Sequence, residues 1–216
     1  FSCRSDIIEF DATHNLIRIK GKESRVIRKD NVFFAPTFSI HTKKKWLRGE
    51  KGVRATFHPQ RPQPPFSDQP FFIRSQDLLV LDENGMTRFT GGVQLFQDKT
   101  RLNSETLTLN AKNHLSAEKN ARMIFQSQEE DLEAWGEKLS FDPDKQTLVI
   151  KGKGGIQSAA TRLNAESLIL SFSEKDGLQT ISADGSIQFQ KDSITGGADR
   201  VRWNFAQRKT RFSGNA

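Results

Sequence analysis

One cysteine, no tyrosine and four histidines in 216 residues leave little material for reactive-residue chemistry. A lone Cys3 excludes an internal disulfide framework and any zinc–cysteine cluster. His14, His41, His58 and His114 are scattered, none at a metal-ligating spacing such as His-x-x-x-His. No apolar run approaches the roughly 20 residues of a membrane-spanning helix, and a mean hydropathy of −0.62 is that of a polar globular chain. Helix signals are nearly absent; only the acidic residues 126–134 could form a single turn. The stretch Gly152-Lys153-Gly154-Gly155 superficially resembles a phosphate cradle. It joins two strands rather than a strand and a helix, so no helix N-terminus backs it. No catalytic residue, metal site or cofactor site emerges, and a non-enzymatic protein is expected.

Charge is unevenly spread. Residues 1–70 hold 14 of the 33 Lys/Arg and 7 of the 26 Asp/Glu, which leaves 19 of each for residues 71–216. The densest basic stretch is Lys43, Lys44 and Lys45, a local patch suited to phosphates or read as a solvated loop. The chain opens on Phe1 rather than Met. The expectation is a start removed by processing, with Cys3 an ordinary free thiol rather than a lipid-attachment site.

What the chain has in quantity is repetition. Thr100-Arg-Leu-Asn-Ser-Glu-Thr-Leu107 returns as Thr161-Arg-Leu-Asn-Ala-Glu-Ser-Leu168. Outward from this pair runs an element with an acid followed by two apolar residues at alternate positions. Its copies begin at Asp6, Asp77, Glu105, Glu137, Glu166 and Asp199, with an acid-free copy at Pro36. Successive starts lie 30, 41, 28, 32, 29 and 33 residues apart. Alternation of period two makes each copy a strand with one apolar face. Asn84-Gly85 and Asp176-Gly177 then supply hairpin turns. A returning strand meets Gly21, Gly91, Gly152 or Gly214, which marks a bend. Residues 59–70, rich in proline, cannot pair inside a sheet and read as a loop within a single repeat-built domain of 1–216, or as a linker between 1–58 and 71–216. The expected architecture is all-β: an open, twisted antiparallel β-jelly roll built from two-strand repeats, with a parallel β-solenoid as the alternative.

Acids that recur in nearly every unit serve strand starts rather than catalysis, which needs a pair only once. The apolar stripe has two readings, a plain core between sheets or a splayed groove that takes long acyl chains. The competing class, a nucleic-acid-binding β module, would interleave exposed aromatics with Lys/Arg on one face. Here the phenylalanines fall on the apolar face and the basic cluster lies outside the regular repeats, so no nucleic-acid partner is expected.

Residues 70–97, with Asp77-Leu-Leu-Val-Leu81, Asn84-Gly85 and Gly91-Gly-Val93, resemble the opening of an OstA-like domain. The strand motif returns at Glu105-Thr-Leu107, Ala165-Glu166-Ser-Leu168 and Ala198-Asp199-Arg-Val201. The resemblance is to the periplasmic lipopolysaccharide-transport family of LptA and its relative LptC. It covers residues 70–216 well and 4–58 loosely. It implies an open jelly roll that binds lipid A acyl chains inside a V and joins end to end through sheet edges. As partners it implies lipopolysaccharide, an inner-membrane transporter adaptor and an outer-membrane translocon. A periplasmic location, with membrane association through a preceding segment, is expected, and a tethered LptC-like adaptor is the alternative role. The groove set implied is Phe89, Val93, Leu95, Leu107, Leu109, Phe125, Leu139, Phe141, Ile150, Ile156, Leu168, Leu170, Ile187, Phe189 and Trp203. Lys43, Lys44 and Lys45 are candidates to meet lipid phosphates.

Overall fold

The computed structural model describes residues 2–58, 64–83, 85–127, 130–174, 177–205, 207 and 209–214. The turn residues Asn84 and Asp176 and the first part of the proline-rich loop, residues 59–63, lie outside these. The described residues form seventeen strands and no helix. The first nine are β1 (Ser2–Arg4), β2 (Ile7–Asp11), β3 (Leu16–Arg28), β4 (Asn31–His41), β5 (Trp46–Glu50), β6 (Val53–Phe57), β7 (Phe71–Ser75), β8 (Asp77–Leu81) and β9 (Met86–Gln97). The others are β10 (Thr100–Leu109), β11 (Leu115–Ser127), β12 (Glu130–Asp142), β13 (Thr147–Gln157), β14 (Thr161–Ser173), β15 (Gly177–Lys191), β16 (Ile194–Asn204) and β17 (Lys209–Ser213). Residues 126–127 and 130–134, expected as a helical turn, are strand: Leu132 and Ala134 alternate inward, and a strand's period overrides the local acidity.

Every pairing is antiparallel, which fits the jelly roll and not a parallel solenoid. The sheet is a meander in which each long strand bends at mid-length, where the register shifts. In three places the bend is a full break, so β1 and β2, β5 and β6, and β7 and β8 are halves of single crossings. Seventeen strands with three such pairs make fourteen rungs, about 60 Å along the stack at roughly 4.8 Å per rung. Bending folds the meander into two half-sheets that face each other as a V. Half-sheet I contains β1, β6 and β7; half-sheet II contains β2, β5, β8 and β17. The bulges form the apex and the strand tips form two lips.

Each half-sheet turns one continuous row of residues inward. In half-sheet I the row runs Val26, Phe33, Ala55, Ile73, Leu95, Leu102, Met123, Ala134, Ile156 and Leu163, each in register with the next. In half-sheet II it runs Ile19, Phe38, Gly49, Leu78, Phe89, Leu107, Ala117, Leu139, Ile150 and Leu168. All of these are buried. The rows run out to open ends. Ile8 and Phe10 stand 53% and 65% exposed on the first edge, and Phe212 is 41% exposed on the last.

The repeated acid has a structural role at the apex. At Gly152 and Gly185 the chain bends with φ of +83° and +80°, a left-handed conformation that glycine adopts freely. A Cβ there would lie 2.6 Å from Glu137 Oε2 or 2.7 Å from Glu166 Oε2. Asp6 at Gly21 and Asp199 at Gly214 repeat the contact, whereas at Gly91 the neighbouring Gln76 takes the acid's place.

The expectation that the phenylalanines all face inward is corrected. Phe71 and Ile73 take the inner positions of β7, so Phe72 points out; Leu95 and Gln97 do the same in β9, so Phe96 points out. Phe34 lies outward between the buried Phe33 and Ala35.

Candidate functional site

The V has a mouth, and its closure varies along the stack. Near the first end, Arg28 at the tip of β3 pairs with Asp82 after β8, joining the two lips. In the middle, Phe66 from the proline-rich loop fills the mouth and is 7% exposed. Its ring meets Phe71 of half-sheet I at 5.3 Å and Phe141 of half-sheet II at 5.2 Å, both edge to face. The loop is pinned by the buried Gln97 side chain, which accepts from Ser67 N at 3.0 Å and donates to Ser67 O at 2.9 Å. Thr100 Oγ1 donates to Pro65 O at 2.9 Å. Further along, Phe125 and Phe172 close lip to lip at 5.7 Å.

Beyond Phe125 and Phe172 the lips part. Between them lies a cleft of about 500 Å³, within the roughly 300–1,000 Å³ typical of small-molecule sites. Leu132, Ile156 and Leu163 line it from half-sheet I, and Ile181, Trp203 and Phe205 from half-sheet II. Trp203 stacks on Phe205 at 4.8 Å, and the Lys191 ammonium stands 5.9 Å from the Trp203 ring. The cleft thus has an apolar floor continuous with the inner rows and carries one cation, Lys191, and one acid, Glu130, among its lining residues. Such a shape sequesters apolar chains and offers Lys191 to an anionic group beside them; Ser127, Glu130, Gln157, Ser158 and Thr161 supply the rest of its polar lining.

All fifteen residues expected to form a groove face the interior of the V. Phe89, Val93, Leu95, Leu107, Leu109, Phe125, Leu139, Phe141, Ile150, Ile156, Leu168, Leu170 and Ile187 are buried, while Phe189 and Trp203 are half-buried. Only Ile156 and Trp203 of the set line the cleft; the other buried residues belong to the packed core, and Phe189 meets Phe212 at 5.3 Å toward the open last end. Lys43, Lys44 and Lys45 are exposed in the turn between β4 and β5 and do not line it. The reading from sequence missed Leu132, Leu163, Ile181, Phe205 and Lys191. Leu132 sat in the stretch read as a turn. Leu163 had a visible signal, since it aligns with Leu102 in the internal repeat.

The fold also gathers His114, Asp142 and Asp144, distant in sequence, at the tips of β11 and β12. His114 Nε2 lies 3.7 Å from Asp142 Oδ1 and 3.8 Å from Asp144 Oδ2. Asp142 Oδ1 already accepts the turn amides of Asp144 and Lys145, and Lys145 Nζ stands 3.5 Å from Oδ2. Burial pushes the Asp142 carboxyl up, but the Lys145 amide and the charges of His114 and Lys145 outweigh it and hold the pKa below its usual value. These contacts describe a capped turn.

Fold and cleft together define an antiparallel β-jelly roll whose apolar interior opens at one mouth and at both ends. The family model described as "LptA/(LptD N-terminal domain) LPS transport protein" matches residues 72–160 and 140–216, and the chain belongs to that family. No curated protein matches the chain. Among solved structures it is similar to LptH, the LptA-homologous periplasmic component of the lipopolysaccharide transport device of Pseudomonas aeruginosa. That similarity has 17% identity and a TM-score of 0.49 and covers 57% of this chain and 87% of that one.

Proposed function

We propose that this protein carries lipopolysaccharide across the periplasm without catalysing a reaction, and that it holds lipid A acyl chains in the C-terminal cleft. The observation that carries this reading is the cleft itself. Six apolar residues from both half-sheets line an opening that leads onto the two inner rows. Each methylene moved from water into such a site contributes about 0.8 kcal/mol, so a few acyl segments suffice for firm retention. Lys191 at the rim then meets a lipid phosphate, a role that Lys43, Lys44 and Lys45 are too far along the stack to share in the cleft. Deeper passage, past Phe141, Leu139 and Leu107, requires the half-sheets to splay.

The open ends support assembly. Exposed Ile8 and Phe10 on β2 and Phe212 on β17 extend the apolar rows to unpaired strand edges, which another copy or a related jelly roll can continue. On this reading an inner-membrane adaptor occupies one end and an outer-membrane translocon lies beyond the other. The chain is taken as one domain spanning 1–216, with 59–70 an inserted loop, because β5 and β6 pair directly with β8 and β7 across it.

The test is retention of lipopolysaccharide through gel filtration. The protein should co-elute with it, and Trp203→Ala with Phe205→Ala should lower retention at least tenfold while the circular dichroism spectrum and melting temperature hold. Undiminished retention by the folded double variant would place the cargo elsewhere.

A further inference from the structure

The outer face of half-sheet I carries a second pattern that an apolar interior does not explain. One row in register, near the strand tips, holds Ile27, Val32, Phe72, Phe96 and Ile124. Thr56 and Arg101 complete it. Phe72 is 53% exposed and Ile124 36%. Two residues further toward the apex, roughly 7 Å away, a parallel row holds Arg25, Arg54, Arg74 and Arg122. All four arginines are exposed. On the next rung of the same row, Phe34 lies 5.5 Å beneath the Arg54 guanidinium. Glu23 pairs with Arg54 and Glu133 with Arg122, whereas Arg25, Arg74 and Arg101 make no ion pair with a described residue. The face is therefore net cationic, apolar at its lip-side margin, and about 30 Å long over the rungs from β3 to β11.

We infer that this face docks the protein on the surface of an anionic bilayer. The order of the two rows suits that occupant. Aromatic and aliphatic side chains at the tips reach the interfacial layer, where Phe, Ile and Val gain from leaving water. Guanidinium groups one layer back meet lipid phosphates, which their planar forks bind in pairs of hydrogen bonds. A polybasic surface near anionic lipid gains roughly fivefold in affinity per cation. The site lies on the outside of the V and is independent of what the interior carries.

The test is co-sedimentation of the full chain with vesicles of phosphatidylcholine and phosphatidylglycerol, free of lipopolysaccharide. Binding is expected to anionic vesicles, to fall with added salt, and to be at least tenfold weaker on pure phosphatidylcholine. Arg54→Glu with Arg74→Glu should lower it more than tenfold. Phe72→Ser with Phe96→Ser should lower it severalfold and leave the weaker salt-dependent part. Arg88→Glu with Arg200→Glu, on the outer face of half-sheet II, should leave it unchanged. All these positions are exposed or half-exposed, so folding is expected to survive, checked by melting temperature. Equal binding to neutral vesicles, or equal loss in the half-sheet II variant, would overturn the assignment. So would tighter binding of an oligothymidylate that the same Arg and Phe changes abolish, which would make the face a nucleic-acid platform.

Discussion

Removing the ring of Phe66 tests the idea that a loop closes the middle of the mouth. The side chain is 7% exposed and makes edge-to-face contacts with Phe71 and Phe141, each on a different half-sheet. Phe→Ala changes in packed cores cost about 3–5 kcal/mol. Each aromatic pair contributes roughly 0.5–1.5 kcal/mol beyond its buried area. A loop collapses onto a void more easily than a strand does, so the lower end applies, about 3 kcal/mol for Phe66→Ala. Phe66→Leu keeps most of the volume and should cost about 1 kcal/mol. The assay is urea unfolding. With a slope of about 3 kcal/mol per molar, the Ala variant should lose on the order of 1 M in midpoint. Its native state should also bind more of an apolar dye, because the mouth gapes between Phe71 and Phe141. A loss below about 0.5 kcal/mol with unchanged dye binding would refute the reasoning, since a ring so placed cannot be removed without cost.

Other perturbations separate parts of the account. Gly185→Ala should destabilise by about 1–3 kcal/mol through a positive φ and a clash with Glu166; adding Glu166→Ala should recover part of that loss in chemical unfolding, and strict additivity would show that the acid does not pack on the bend. Gln97→Leu leaves Ser67 unpartnered and should cost about 1–3 kcal/mol, with faster proteolysis of the 59–70 loop as the readout. The Lys138 ammonium, 2.7 Å from Glu118, holds that carboxyl below its ordinary value of 4.5. A depressed carboxyl contributes stability above its unfolded pKa, and the contribution is lost as pH falls through the folded value. The stability gap between wild type and Lys138→Met should therefore be present at pH 6 and shrink below pH 4.5; a gap that persists at pH 3 would contradict it.

Period-two alternation and the recurring acid made the strands and their bends legible, because both are local requirements. A strand with one buried face must alternate, and the bends take up positive φ, at Gly91, Gly152 and Gly185 and also at Lys119 and Asn120. The inward set was legible for the same reason. What alternation does not encode is where the V stays open. Whether Trp203 lines a cleft or meets a partner depends on how a twisted half-sheet faces the other across several rungs. That depends on long-range pairs such as Phe125 with Phe172 and Phe66 with Phe141. The outward phenylalanines were misread because β7 and β9 place aromatic or aliphatic residues at consecutive positions, and adjacent apolar residues take opposite faces. Phe66 was hidden by its setting, a proline-rich stretch that reads as solvent-exposed. The metal-like grouping of His114 with Asp142 and Asp144 joins opposite ends of one hairpin, which spacing along the chain does not reveal.

Photocrosslinking to lipopolysaccharide addresses the central claim most directly. A photoreactive residue is placed in turn at Trp203, Phe205 and Leu163 in the cleft, and at Arg88 on the outer face as a control. The account predicts lipid adducts from the cleft positions and none from Arg88. A folded protein that gives no adduct at any cleft position, or one that reacts equally at Arg88, would contradict it and leave the interior of the V an ordinary core.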